Sequence, residues 1–233
     1  MINIETFFYI KNAEIDFVIF DREKKKILFS KKVNIKLDHT STADPMIEIN
    51  SILKNLIIEV ESEVSQSINQ INILIENPLS FKINASIKKT MDKSSISKDQ
   101  IEYLVQDLKQ QISKNNNFIN INHILIDEIF VDGEKLHYLP LNKVCNSLVI
   151  NVGFICFPKD FIISLKNLFT NYQIFFSSIL CAQYAKSFIN HNFNNIFEAA
   201  ISLKNGYNSN EVLIKSKKHL KMGFFEKLFH IFS

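Results

Sequence analysis

Four carboxylates lie close together in the chain: Asp127, Glu128, Asp132 and Glu134. Two carboxylates held near each other can divide general-acid and general-base work when their surroundings push their pKa values apart. Here the four surround Asp132-Gly133, a dipeptide that marks a tight hairpin turn. A hairpin tip is solvated, so the expectation is surface charges and no acid–base pair. The six histidines include no i, i+4 pair to hold a metal ion. Cys145, Cys156 and Cys181 are too few and too far apart for a disulfide framework or a zinc site. Two of them sit in "GFICFPKDF" and "SSILCAQYA", apolar surroundings in which a thiol packs as a small hydrophobe. With only four glycines, the chain has little material for a glycine-rich phosphate loop. These residues therefore indicate no catalytic group, no cofactor and no metal.

A different chemistry, partition into a lipid surface, is encoded in "MGFFEKLFHIFS", residues 222–233. At about 100° per residue, Phe224, Phe225, Leu228, Phe229, Ile231 and Phe232 fall on one arc of a helix. Glu226, Lys227, His230 and Ser233 fall on the other. Lys215, Lys217, Lys218, His219 and Lys221 precede them. An aromatic face with a basic approach suits an interfacial helix: the rings sink into the acyl boundary. Each lysine near an anionic surface adds about 1 kcal/mol. The residues expected to touch lipid are Lys217, Lys218, Lys221, Phe224, Phe225, Lys227, Leu228, Phe229, Ile231 and Phe232. The competing expectation is a closing helix that docks on the protein's own core. The segment's place at the end of the chain, its polar connector and its basic approach favour the bilayer. A helix this short is marginal in water, so it is expected to form on the lipid surface.

Composition limits the remaining choices. The chain has 233 residues, 46% of them hydrophobic, enough for one large domain or two small ones. A net charge of +3, mixed along the chain, argues against a dedicated nucleic-acid binder. The heavy use of Asn, Lys and Ile reads as codon bias of an AT-rich genome. No signal peptide and no apolar run of transmembrane length is apparent, so a cytoplasmic body is expected.

The elements that must carry these residues can be read in order. "TFFYI", "DFVIFD" and "KKILFSKKVNIKL" are strands, with a polar turn at Asp21 to Lys25 and a loop at Thr40 to Pro45. Ile49, Ile52, Leu53, Leu56, Ile57 and Val60 recur at helical spacing. "INQINILIEN" is a buried strand ended by Asn77-Pro78. "FKINASIKKT" is a strand, and "SKDQIEYLVQDLKQQISK" a helix capped by Ser97 with Asp99 in its first turn. A hairpin around Asp132-Gly133 and the long apolar strand "SLVINVGFICFP" follow. Pro158 then opens a helix. "SSILCAQYAKSFIN" and "NIFEAAISLKNG" are expected to be two short helices, the second ended by Gly206.

The order of these pieces resembles the FtsA family, actin-like bacterial proteins that tether the FtsZ ring to the membrane. "HILIDEIFVDGEKLHYLP" resembles the family's strand pair with its Asp-Gly turn. "VGFICFPKDFIISLKNLFTNYQIFFSSILCAQYA" resembles its strand, Pro-Lys helix start and small-residue helix. "SKDQIEYLVQDL" resembles the first helix of the subdomain that the family inserts into its actin fold, and "NIFEAAISLKNG" the last helix of the actin-like core. The basic connector and "GFFEKLFHIFS" resemble the family's linker and membrane-targeting helix. The resemblance implies an α+β chain: a partial actin-like (ribonuclease H-like) subdomain, an inserted FtsA-type α+β subdomain and a C-terminal amphipathic helix. The boundaries it implies are 1–80 for the partial actin-like subdomain and 81–175 for the inserted one. Helices return to the actin-like part over 176–206, a basic linker spans 207–221 and the membrane helix spans 222–233.

The departures from the family pattern are equally specific. The family opens with an Asp-Ile-Gly-Thr type phosphate loop. In "FYIKNAEIDFVIF", Tyr9 stands where the acidic residue belongs and Lys11 where the glycine belongs. The second phosphate loop, an Asp-Gly-Gly type turn, has no counterpart; "SLKNGYNSNEV" is the nearest glycine-bearing turn. The length leaves no room for the half of the actin fold that closes over nucleotide and contacts FtsZ. The resemblance thus implies a reduced, non-enzymatic adaptor of bacterial cell division, peripheral on the inner face of the cytoplasmic membrane. Its implied partners are anionic lipid and divisome proteins, either FtsZ or later division proteins, with no nucleic acid and with homodimerisation open. The alternatives are a soluble protein-interaction scaffold whose last helix packs intramolecularly, and an actin-like ATPase that would need both phosphate loops.

Overall fold

The computed structural model describes residues 3–12, 14–35, 45–76, 79–189 and 192–212. The expected loop at 40–45 (save the start of a helix at Pro45), the strand end at Asn77-Pro78, most of the basic linker and the whole of 222–233 lie outside the described residues. So do all ten residues expected to touch lipid, from Lys217 to Phe232.

A meander opens the chain: β1 (Ile4–Ile10), β2 (Glu14–Asp21) and β3 (Lys26–Asn34). Asp21 sets the turn between β2 and β3 by accepting the backbone N–H groups of Glu23 and Lys24. The helix α1 (Pro45–Val64) then leads to β4 (Gln70–Ile75), which lies parallel to β1. Another strand, β9 (Phe175–Cys181), pairs parallel with β4 and completes a sheet of order β3-β2-β1-β4-β9. Three antiparallel strands followed by two parallel ones, in that order, is the ribonuclease H-like arrangement of actin-like folds.

β1 and β2 are apolar on both faces because helices cover both sides, which explains why "TFFYI" and "DFVIF" do not alternate. Phe8 meets Phe17 and Phe169 of α3 (Lys159–Thr170) on one face, with ring centroids 5.8 and 5.0 Å apart. Its neighbour Phe7 points the other way and meets Phe197 of α5 (Ile196–Lys204) at 5.1 Å. Adjacent residues of one strand thus anchor two helical layers, as the period-2 geometry requires.

Between β4 and β9 the chain builds a second, antiparallel sheet. Its order is β5-β8-β6-β7, from β5 (Phe81–Ser95), β6 (Ile119–Val131), β7 (Glu134–Leu136) and β8 (Val144–Pro158). α2 (Lys98–Asn115) covers one face through Ile101, Leu104, Val105 and Leu108. Ser97 caps it in a reciprocal capping box with Gln100. β8 serves both cores. Leu148, Ile150, Val152, Phe154 and Cys156 point into the second, while Ile155 and Phe157 point into the first.

One expectation is corrected. "SSILCAQYAKSFIN" is not a single helix: Phe175–Cys181 is β9, and only Ala182–Lys186 is helical, as α4. The strand wins because β4 offers an unpaired parallel edge, and pairing along it satisfies a row of backbone groups at once. Pro158 opens α3 as expected: it stands at the N-cap while still pairing with Ile119 as the last residue of β8. The expected stop at Gly206 is present. Gly206 has φ +85°, and the N–H groups of Gly206 and Tyr207 return to the carbonyls of Leu203 and Ser202.

Candidate functional site

In open sheets of this type, ligands sit beyond the carboxyl ends of the parallel strands. At that place Ile10 ends β1 and Glu76 follows β4, with the Glu76 N–H donating to the Ile10 carbonyl at 2.9 Å. The Lys11 N–H closes the β1–β2 hairpin onto the Glu14 carbonyl at 2.8 Å. The side chains then neutralise one another. Tyr9 donates its hydroxyl to Glu76 Oε2 at 3.4 Å, and Lys186 of α4 donates to Glu76 Oε1. Lys11 Nζ lies 2.6 Å from Glu14 Oε1, 3.9 Å from Asp16 Oδ2 and 4.8 Å from the centre of the Tyr9 ring. The buried Asp16 also accepts from the Ser30 hydroxyl at 2.6 Å.

Burial pushes the Tyr9 phenol up from its ordinary value, and the neighbouring Glu76 carboxylate adds to the shift. Lys186 is likewise held above the usual lysine range, first by its hydrogen bond to Glu76. The hydrogen bond from Lys11 lowers Glu14. At this end of the sheet the chain presents a phenol and two lysines committed to carboxylates.

The acidic cluster is solvated, and Asp127, Glu128 and Asp132 each have their own partners. Asp127 meets Lys82 at 2.8 Å. Glu128 meets Lys135 at 2.5 Å and Asn151 at 2.8 Å, and the lysine bond holds its carboxyl below the usual range. Asp132, at the exposed tip of the β6–β7 hairpin, accepts the Asn146 and Ser147 N–H groups of β8. Among the described residues no cluster of ligating side chains could hold a metal ion. All three cysteines are buried, and burial pushes the Cys156 thiol up to about 11.

A second polar centre has no local sequence signal. Tyr184, His123 and Glu211 meet at the seam between the two sheets. The Cys181 backbone N–H donates to His123 Nε2 at 3.0 Å, so the proton is on Nδ1, which donates to Glu211 Oε1 at 2.7 Å. Tyr184 donates to Glu211 Oε2 at 2.9 Å, and Asn208 donates to the Tyr184 oxygen at 2.7 Å. Both side chains of the His123–Glu211 pair are 5% exposed. A carboxylate–imidazole pair is two-thirds of a catalytic triad, but here the outer nitrogen faces a backbone N–H and the Asn122 amide, not a hydroxyl or thiol. The pair fastens the chain instead. Asn122 also donates to the Ile179 carbonyl, so two side chains of β6 occupy the open edge of β9 as a strand would.

The same centre fixes the root of the tail. After α5, Asn210–Val212 runs along the free edge of β6. The Ile126 N–H donates to the Asn210 carbonyl at 2.9 Å, and the Val212 N–H to the Ile124 carbonyl at 2.8 Å. Leu125 and Glu211 form an antiparallel bridge between them.

No family model and no curated protein matches the chain. Solved structures do. The PilM–PilN type IV pilus biogenesis complex matches at 6% identity over 78% of this chain and 48% of that one, with a TM-score of 0.47. The cytoplasmic domain of EpsL, an inner-membrane component of the type II secretion system of Vibrio cholerae, matches at 11% identity over 78% and 56%, with a TM-score of 0.36. A Bacteroides thetaiotaomicron protein with an actin-like ATPase fold and unknown function matches at 14% over 79% and 55%, with a TM-score of 0.32. This chain spans about half the length of those chains. The fold is α+β, with its five-stranded mixed sheet as the core and a second sheet built between β4 and β9.

Proposed function

We propose that this chain is a non-enzymatic, membrane-associated adaptor of bacterial cell division. It holds a division protein, FtsZ or a later component, at the inner face of the cytoplasmic membrane. The observation that carries the reading is the aromatic face of 222–233 with its lysine-rich approach. That segment follows a root hydrogen-bonded into the body of the protein, so an anchored tail transmits its attachment to the whole fold. The non-enzymatic part of the reading draws support from the Tyr9–Glu76–Lys186 cluster, which occupies the phosphate side of the sheet with groups that satisfy each other. The division role rests on the resemblance to FtsA.

The test is co-sedimentation with vesicles containing anionic lipid. It compares the full chain, a truncation after Lys221, and Phe225→Asp/Phe229→Asp. Pelleting by the full chain alone is the expected result. If none pellets, the tail is not a tether and the adaptor loses its membrane. A thermal melt with and without Mg-ATP accompanies it. No shift is expected, and a stabilisation that grows with nucleotide concentration would restore the ATPase reading.

A further inference from the structure

A cavity of about 320 Å³ lies at the amino ends of β1 and β4, the end of the sheet opposite to Tyr9, Glu76 and Lys186. Its mouth is lined by Ser67 and Asn69, exposed residues of the connection from α1 to β4. Glu5, Thr6, Ser177 of β9 and Lys204 of α5 line its deeper part. At about 30 Å³ per water there is room for roughly ten water-sized groups. That is the small end of ligand pockets, which begin at about 300 Å³.

The deep wall is organised by the buried Asn72. Its amide donates to Glu5 Oε2 at 2.7 Å and to the Thr6 carbonyl at 3.1 Å. Its oxygen accepts from Ser178 at 2.8 Å and from Lys204 at 3.1 Å. Lys204 Nζ also donates to the Ser177 hydroxyl at 2.7 Å and, as its longest contact, to Glu5 Oε2 at 3.4 Å. Arg22 stands 3.4 Å from the other Glu5 oxygen. Two cations thus share one carboxylate, which leaves one positive charge over. Two hydroxyl groups remain open. Ser177 accepts from Lys204, and no described residue accepts its hydrogen. Thr6 is 8% exposed, and no described residue bonds its hydroxyl. No side-chain polar atom among the described residues is both sealed off and unbonded, so that hydroxyl is reached from the cavity Thr6 lines.

These groups select a ligand by its chemistry. The surplus positive charge favours an anion. Glu5 already accepts from Asn72 and two cations, so an ammonium group gains nothing there. A single lysine suits a carboxylate better than a doubly charged phosphate. None of the described residues lining the cavity is aromatic, so a flat base or ring finds nothing to stack on. The remaining lining offers hydroxyl and amide groups, which match hydroxyl groups of a ligand. We propose that this cavity binds a small hydroxylated carboxylate of the sugar-acid class. Its carboxylate displaces Glu5 from Lys204 and accepts the Ser177 hydroxyl, while Glu5 keeps Arg22 and Asn72. Its hydroxyl groups bond Thr6, Ser67 and Asn69. The inference does not rest on the adaptor reading.

Titration calorimetry of the full chain with D-gluconate tests this, beside acetate, which has the carboxylate without hydroxyl groups, and D-glucitol, which has the hydroxyl groups without the carboxylate. Saturable binding of gluconate, at least about tenfold tighter than either comparator, is expected. Lys204→Met should weaken it about tenfold or more, the loss of a charged partner. Thr6→Val keeps the shape of the side chain, so the fold survives, and should weaken it about fivefold. Lys11→Met, at the other end of the sheet, should leave it unchanged. Absence of saturable binding at millimolar gluconate overturns the proposal. Acetate binding as tightly as gluconate also overturns it, since the lysine would then be a general anion contact. So does gluconate binding that Thr6→Val and Lys204→Met leave intact, which would put the ligand elsewhere.

Discussion

Glu211 lies 88 residues from His123 in sequence, yet the two form a buried pair at 2.7 Å. Removing the imidazole strands the Glu211 carboxylate with only Tyr184 and leaves the Cys181 N–H without its acceptor. His123→Ala should cost about 3 kcal/mol in urea unfolding, whereas Glu211→Gln, whose amide oxygen can still accept from His123 while its NH2 donates to the Tyr184 oxygen, should cost about 1 kcal/mol. Tyr184 supplies a second expectation. Burial, first, and the Glu211 carboxylate push its phenol above the ordinary value, and burial raises Tyr9 as well. The folded protein then keeps these protons longer than the unfolded chain does. The associated stability is complete below about pH 10 and is lost as the pH rises through the folded-state values. Unfolding measured across alkaline pH should fall less steeply for Tyr184→Phe than for the parent.

At the scale of elements, β8 is the strand on which both cores depend, and Gly153 lies at its centre. A Cβ there would stand 2.1 Å from Lys82 Cε and 2.7 Å from Asp127 Oδ2. The glycine lets Lys82 lie across the sheet to reach Asp127. Because the obstruction is the far end of a long side chain, Gly153→Ala should displace the lysine and leave the backbone in place. The half-exposed ion pair lost is worth less than about 1 kcal/mol. A cycle of Gly153→Ala with Lys82→Ala should show coupling, the alanine costing less once the lysine is gone. The elements themselves were largely legible. The strands of the meander, the Ser97-capped helix, the Asp132-Gly133 hairpin and the Gly206 stop are each specified by residues within a few positions of one another. β9 was not, because "FFSSILC" becomes a strand only when β4 lies beside it.

At the scale of the molecule, the segment after α5 joins the two sheets, because Asn210–Val212 pairs with β6 and Glu211 engages His123 and Tyr184. A chain cut after Tyr207 should therefore lose at least as much stability as His123→Ala. One cut after Val212 keeps these contacts and should melt close to the full chain. Thermal melts of the two truncations check this order.

The sequence by itself determined the local devices: caps, turns, apolar strands and the aromatic face of 222–233, each a matter of period or of one residue's backbone preference. It also showed Tyr9 and Lys11 directly at the end of β1. Only the tertiary structure decided which charges meet. Glu76 with Lys186, and Glu211 with His123 and Tyr184, are brought together by the parallel crossovers and by the return of the chain to β6. Such pairs leave no periodic trace, because a buried charge needs one partner in space and places no demand on its neighbours in sequence.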